Sequence, residues 1–83
     1  MSRRDLAHVM TALADAAHAE VGVGVAVAVL DQAIGRSVGD LRTVLNLQSL
    51  QADGLVQETA PGTWALTEAG LQRMRDDHEL SDR

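Results

Sequence analysis

The chain contains no cysteine, no lysine, no phenylalanine and no tyrosine. The absence of cysteine excludes disulfide frameworks, thiolate zinc sites and thiol catalysis, so stability must come from packing. Because Trp64 is the single aromatic residue, the core must be built from Leu, Val, Ala, Ile and Met, a composition that suits small helical domains. The length of 83 residues predicts one domain that occupies residues 1–83.

Long hydrophobic segments are also absent. The longest apolar run, Val21–Leu30, has ten residues, whereas a membrane-spanning helix needs about 20. The first residues show neither the apolar stretch nor the cleavage site of a secretory signal. These features predict a cytoplasmic protein that does not associate with membranes.

Positive charge is scarce, since twelve acidic residues stand against seven arginines and the net charge is −5. A chain of this charge is unsuited to wrapping nucleic acid indiscriminately. A site-specific binder needs only a local cluster of arginines to contact phosphates, so the distribution of the arginines matters more than their sum.

The first helix is predicted from Arg3 to about Ala19. Ser2 and Asp5 resemble a capping box, in which the acid also lies favourably at the positive end of the helix. Apolar residues then recur at the spacing of one helix face. They are Leu6, Val9, Met10, Leu13 and Ala17.

The valine-rich segment that follows has two competing periods. Its valines alternate as in a strand, which is one interpretation of the whole of Val21–Leu30. Val23, Val27, Leu30 and Ile34 also have helical spacing. We favour a short strand over Val21–Val23 and then a second helix that ends at Gly35, a residue suited to the left-handed conformation after a helix.

The third helix is predicted to span Val38–Asp53. Ser37 and Asp40 repeat the capping pattern, and after Gly39 neither glycine nor proline interrupts the chain until Gly54. At 100° per residue the helix has a buried arc and an opposite polar face. The buried arc comprises Leu41, Val44, Leu47 and Leu50, and the polar face Arg42, Asn46, Ser49 and Asp53.

A β-hairpin is predicted next, with strands over residues 55–59 and 63–66. Pro61 and Gly62 suit positions i+1 and i+2 of a type II turn between them. Thr67 can cap a short fourth helix, and residues 76–83 are expected to form a frayed tail. Trp64, Met10 and Met74 are interpreted as packing residues.

The junction residues resemble a known signature. Leu47-Gln-Ser-Leu50-Gln-Ala-Asp-Gly54-Leu55-Val56, followed by Trp64-Ala-Leu66-Thr67-Glu-Ala-Gly70, resembles the pattern LxxLxxxGLV … YxLTxxG of MarR-like and PadR-like regulators. The run Ser37-Val-Gly-Asp-Leu41 is similar to the PadR-like Ser-Pro-Gly-Thr-Leu, with Val in place of Pro and Asp in place of Thr. The resemblance implies a winged helix-turn-helix, mainly α with a small β-hairpin: a three-helix core, a two-stranded wing and a short C-terminal helix.

The resemblance also implies a transcriptional regulator that binds double-stranded DNA sequence-specifically through its third helix. Arg42 and Asn46, four residues apart, would then contact guanine and adenine, with Ser49 one turn further along. Arg36 in the turn, and the pair Arg3 and Arg4, would contact phosphates.

Two features favour a different function, a winged-helix module that binds another protein and not DNA. The hairpin contains Glu58 and no basic residue, and Asp40 and Asp53 flank the predicted reading face, where they would repel phosphate. Regulators of the resembled families dimerise, so we also expect a homodimer. It would form through helix 4 or through an alanine-rich outer face of helix 1, consisting of Ala7, Ala12, Ala14 and Ala16.

Catalytic and metal-binding interpretations find little support. His8, His18 and His78 have no partners at metal-ligand spacing, and Asp15 with His18 reads as a surface pair. The sequence therefore predicts a protein that is not an enzyme and uses no metal and no cofactor.

Overall fold

A computed structural model of the protein describes residues 3–81, with their side chains through Asp76. Within this range the chain is mainly helical, with four helices and one small three-stranded antiparallel sheet of order β1-β3-β2. None of the helices in residues 3–81 is long and apolar enough to cross a bilayer. The elements are α1 (Arg3–Ala16), β1 (Val25–Ala26), α2 (Val27–Ala33), α3 (Leu41–Ala52), β2 (Val56–Ala60), β3 (Thr63–Leu66) and α4 (Glu68–Ser81).

The first helix ends three residues earlier than predicted. His18 and Ala19 adopt φ of 55° and 58°, so the chain turns into the left-handed region after Ala16. The N–H of Ala19 donates to the Ala14 carbonyl over 2.8 Å and that of His18 to the Asp15 carbonyl over 3.2 Å. These hydrogen bonds end the helix in the way that is usual for a glycine in this position, although His18 and Ala19 both carry a Cβ. The expected Ser2 cap lies outside the described residues.

The valine-rich segment uses both of its periods in succession. The strand forms at Val25–Ala26, not at the predicted Val21–Val23, because Val25 pairs with Trp64 and Ala26 pairs with Thr63 of β3. The helical spacing takes over directly afterwards in α2. A third strand thus joins the predicted hairpin, and the interpretation of the whole segment as a strand is wrong.

Two glycines end helices as predicted. Gly35 follows α2 with φ of +77°, and the N–H of Arg36 then donates to the Asp31 carbonyl over 2.8 Å. Gly54 follows α3 with the same φ, and the N–H of Leu55 donates to the Leu50 carbonyl over 3.0 Å. Glycine adopts this conformation at no steric cost, which explains why the chain can turn sharply into β2.

The start of α3 differs from the prediction. Its N-cap is Asp40 and not Ser37, because the Asp40 carboxylate accepts the N–H of Arg42 over 2.9 Å. The Ser37 carbonyl instead accepts the N–H of Asp40 over 3.1 Å in a tight turn. The helix therefore begins at Leu41, three residues later than predicted.

The hairpin and its exit follow the prediction closely. The tight turn lies at Pro61 and Gly62, where Gly62 takes φ of +74°. The Thr67 hydroxyl caps α4 by accepting the N–H of Gly70 over 3.1 Å, and it donates to the Gly54 carbonyl over 2.6 Å. The helix continues through Ser81, so the frayed tail expected from Asp76 is wrong up to that residue. Residues 82 and 83 lie outside the described part.

The core lies between the helices and the inner face of the sheet. Trp64 and Met10 are buried in this core, and Met74 packs against it, as expected. Gly70 lets α4 approach the segment before β2 closely, since a Cβ there would overlap the Leu55 carbonyl. The largest fully buried apolar side chains are Val9, Leu13, Leu30, Leu47, Val56 and Leu66.

Candidate functional site

The inward face of α3 differs from the predicted arc. Leu47 and Leu50 are buried as predicted, but Leu41 is 76% exposed and Val44 is only half-buried. Thr43 and Asn46 complete the buried face instead. At 100° per residue the buried positions 43, 46, 47 and 50 centre on one side of the helix. Leu41, Leu45, Gln48 and Ala52 lie opposite to them and are exposed.

Asn46 therefore does not lie on an exposed face. Its side chain is 2% exposed, and its Oδ1 accepts a hydrogen bond from Nη1 of Arg36 over 2.9 Å. The same Nη1 donates to the Thr43 hydroxyl over 3.0 Å. Because the amide faces the protein interior, the predicted place of Asn46 on an exposed polar face is wrong, and its contact with adenine stays a prediction.

Arg36 crosslinks the helices from within. Its side chain is only 11% exposed, and Nη2 lies 3.8 Å from Oδ1 of Asp5 on α1. The guanidinium thus joins α1, the α2–α3 turn and the inward face of α3. A phosphate would have to displace these partners to bind Arg36, and its contact with DNA stays a prediction.

Arg42 points outward, as predicted, but it is engaged with the N-cap residue. Its Nε donates to Asp40 Oδ1 over 3.1 Å and its Nη2 to Oδ2 over 2.7 Å. Hydrogen bonds from the Arg42 side chain and backbone lower the pKa of Asp40 to about 2. The pair therefore carries no net charge above pH 4.

The remaining predicted DNA contacts are scattered. Ser49 is half-buried in the second half of α3, whereas Arg3 and Arg4 are exposed on the first turn of α1. The structure brings Arg36 and Asn46 together, but it does so in the interior.

Sequence reasoning missed a buried carboxylate beneath the turn. Asp31 is fully buried; its Oδ2 accepts the N–H of Gly39 over 3.0 Å, and its Oδ1 has no hydrogen-bond partner among the described residues. Asp31 holds the segment from which Val38 projects. In the sequence, the one hint of this burial is that Asp31 directly follows the apolar run Val21–Leu30.

The outward residues of α3 form a continuous uncharged surface. We name Leu41, Leu45, Gln48 and Ala52 the α3 outer face. Leu45 is 51% exposed, and Val38, 61% exposed in the preceding turn, adds another apolar side chain close to its N-terminal end. A helix of 12 residues presents this face over about 18 Å. Exposed apolar clusters of this kind mark interaction surfaces more often than scattered single residues do.

Two surfaces were expected to form a homodimer, one on helix 1 and one on helix 4. Ala12 and Ala14 are buried in the chain's own core, so the prediction of an alanine-rich outer face on helix 1 is wrong. A homodimer through α4 stays a prediction.

Asp15 and His18 are both exposed, and the His78 side chain lies outside the described part. Among the described residues there is no group of three or more potential metal ligands.

Comparisons with protein-family models, with curated proteins and with solved structures found no match.

Proposed function

We propose that this chain is a winged-helix-like domain that binds a partner protein through the α3 outer face. The order of three helices, hairpin and final helix supports the winged-helix part of the proposal, since it agrees with the signature that the junction residues resemble. The observation that carries the functional part is the exposure of Leu41 and Leu45 four residues apart, on a face without any charged residue.

The shape of this surface indicates the kind of partner. An α-helix that projects apolar side chains at i and i+4 fits an apolar groove, a common mode of protein recognition. The chain's net charge of −5 favours a groove whose rim is neutral or basic. We therefore propose a partner with an apolar groove and a neutral or basic rim.

Electrostatics argue against DNA as the principal ligand. Attraction of the third helix to phosphates requires accessible cations on that helix or in the turn before it, yet Arg36 is engaged inside the protein and Arg42 is neutralised by Asp40. The hairpin contributes Glu58 and no basic side chain. A DNA-binding mode would have to release Arg42 from Asp40 before it could gain a phosphate or base contact.

DNA binding is the second candidate function, because Arg42 is 69% exposed in the first turn of α3 and Gln48 projects from the same helix. Both side chains belong to types that read bases in the major groove. For DNA binding, Arg42 would leave Asp40 and hydrogen-bond a guanine, and the affinity for DNA would fall steeply as the salt concentration rises.

The test uses the full chain as bait in a lysate of the source organism. A retained protein is then purified and titrated against wild type, Leu41→Gln, Leu45→Gln and the control Val21→Gln, which alters an exposed valine in the loop before β1. We expect Leu41→Gln and Leu45→Gln each to weaken binding about tenfold or more, and Val21→Gln to leave it unchanged. Equal binding by all four proteins, or the absence of any retained protein that binds when purified, overturns the proposal.

A parallel selection from random DNA duplexes separates the two functions. Protein binding predicts that no sequence is enriched. Enrichment of a sequence whose affinity falls with Arg42→Gln and rises at low salt would replace the first proposal with the second.

A further inference from the structure

A cleft of about 610 Å³ lies between α1, the end of α3 and α4, away from the α3 outer face. Its volume falls in the range of small-molecule sites, about 300–1,000 Å³. Apolar side chains from all three helices and the segment before β2 line it. They are Leu6, Met10, Leu50, Leu55 and Met74.

Two arginines from different helices converge on this cleft. Arg3 comes from the first turn of α1 and Arg73 from α4. No hydrogen bond or ion pair joins either guanidinium to a side chain between residues 3 and 76. Arg36 and Arg42, by contrast, are engaged with carboxylates. Two arginines that pair with no carboxylate among the side chains of residues 3–76, beside one apolar cleft, are well suited to an anionic ligand.

We propose that this cleft binds a small amphipathic carboxylate. Its aliphatic chain packs on Leu6, Met10 and Met74, and its carboxylate interacts with Arg3 and Arg73. Arginine is suited to this role because its planar guanidinium matches the geometry of a carboxylate. The proposal is independent of the partner-binding function, since it uses none of the residues of the α3 outer face.

Asp53 also lines the cleft and limits which anions fit. Its charge repels a second acidic group, so a monocarboxylate with an aliphatic chain is favoured over a dicarboxylate. Conversely, removal of this charge should improve the binding of the monocarboxylate.

The experiment is an NMR titration of the full chain with octanoate below its micellar concentration. Methyl signals of Leu6, Met10 and Met74 report on the cleft. We expect these signals to shift, and octanoate to bind more tightly than octanol and octanol more tightly than octylamine. Hexanoate should bind about 15-fold more weakly than octanoate, because each buried methylene contributes about fourfold.

Variants identify the charged groups. Arg3→Gln and Arg73→Gln should each weaken octanoate binding about threefold, and Asp53→Asn should strengthen it about twofold. Arg75→Gln is the matched control, since Arg75 is an exposed arginine of α4 that does not line the cleft. All these side chains are exposed, so the variants should fold as wild type does.

Three results would overturn the inference: octylamine binding as tightly as octanoate, methyl shifts outside the cleft only, or equal weakening by Arg75→Gln and Arg73→Gln. None of them would affect the proposed binding of a partner to α3.

Discussion

Nη1 of Arg36 donates to Oδ1 of Asn46 over 2.9 Å, across ten residues of sequence. The bond joins the turn after α2 to the inward face of α3, and Asp5 on α1 completes the link at 3.8 Å. Both partners are residue types that read or contact DNA in other proteins, yet here each satisfies the other inside the protein. Their expected contribution is therefore to the stability of the fold.

Replacement of Arg36 by alanine should lower the free energy of unfolding by about 2–3 kcal/mol. The substitution leaves the Asn46 amide and the Thr43 hydroxyl buried without their donor, which costs more than the bond itself contributes. Urea denaturation measures the change. Arg75→Ala, at an exposed site, should alter the same quantity by less than about 0.5 kcal/mol.

A double-mutant cycle makes this prediction specific to the pair. Arg36→Ala and Asn46→Ala should together destabilise by about 0.5–3 kcal/mol less than the sum of the single changes. Strict additivity would show that the hydrogen bond does not couple the two residues.

Replacement of Gly70 by alanine should destabilise the protein by about 2–3 kcal/mol, although alanine favours helices. The new Cβ would overlap the Leu55 carbonyl, so α4 would have to move away from the segment before β2. Thermal and urea unfolding report the loss. Ala69→Gly, one residue earlier at an exposed helical position, should cost only about 1 kcal/mol. A Gly70→Ala protein as stable as wild type would contradict the close approach of α4.

Replacement of His18 by glycine should raise the free energy of unfolding by about 0.5–1 kcal/mol. His18 occupies the left-handed region with φ of 55° directly after α1, where glycine carries no Cβ penalty. Its side chain is exposed, so little packing is lost. The control Glu20→Gly changes a nearby exposed residue outside the left-handed region and should lower stability or leave it unchanged. A loss of stability in His18→Gly would contradict this conformation.

The Asp40 carboxyl should titrate with a pKa of about 2, below its usual value of 3.8, because Arg42 hydrogen-bonds to it through side chain and backbone. Since the pKa is lower in the folded state, the stabilisation from this pair is complete above pH 4 and is lost as the pH falls from 4 to 2. Carboxyl ¹³C NMR across this range measures the pKa directly.

Arg42→Gln should raise the pKa of Asp40 towards 3.8, only in part because the backbone N–H at position 42 still donates to it. Arg75→Gln should leave the Asp40 titration unchanged. An unaltered pKa in Arg42→Gln would show that the side-chain hydrogen bonds do not persist in solution.

Local signals in the sequence predicted much of the secondary structure. Gly35 and Gly54 end helices, the Pro61-Gly62 turn joins β2 and β3, and Thr67 caps α4, as predicted. Each signal acts through the backbone of a few neighbouring residues, so it can be recognised without knowledge of the rest of the fold. The prediction of Ser37 as the cap of α3 is wrong. Ser37 and Asp40 are both good capping residues, and the turn at Gly39 places Asp40, not Ser37, at the start of the helix.

The candidate site could not be predicted in this way. A helical wheel placed polar Asn46 outside and Leu41 inside, as hydrophobicity alone suggests. The structure places them the other way round, since Arg36 and Thr43 meet Asn46 in the interior while the core ends before it reaches Leu41. A buried polar side chain needs a hydrogen-bond partner. For Asn46 this partner is Arg36, ten residues away, and the periodicity of α3 carries no information about it.

The sequence by itself thus determined the turns at Gly35, Gly54 and Pro61-Gly62 and, with them, where α2 and α3 end. It also determined that any core must lack cysteine and rely on aliphatic side chains. Only the tertiary structure decided which face of α3 meets the solvent, and with it the nature of the candidate site. The physical reason is that turns and caps depend on backbone conformation within a few residues. The exposed face of a helix depends instead on every element that packs against it. Here Arg36 hydrogen-bonds the buried polar side chains of α3, and Leu41 and Leu45 lie outside.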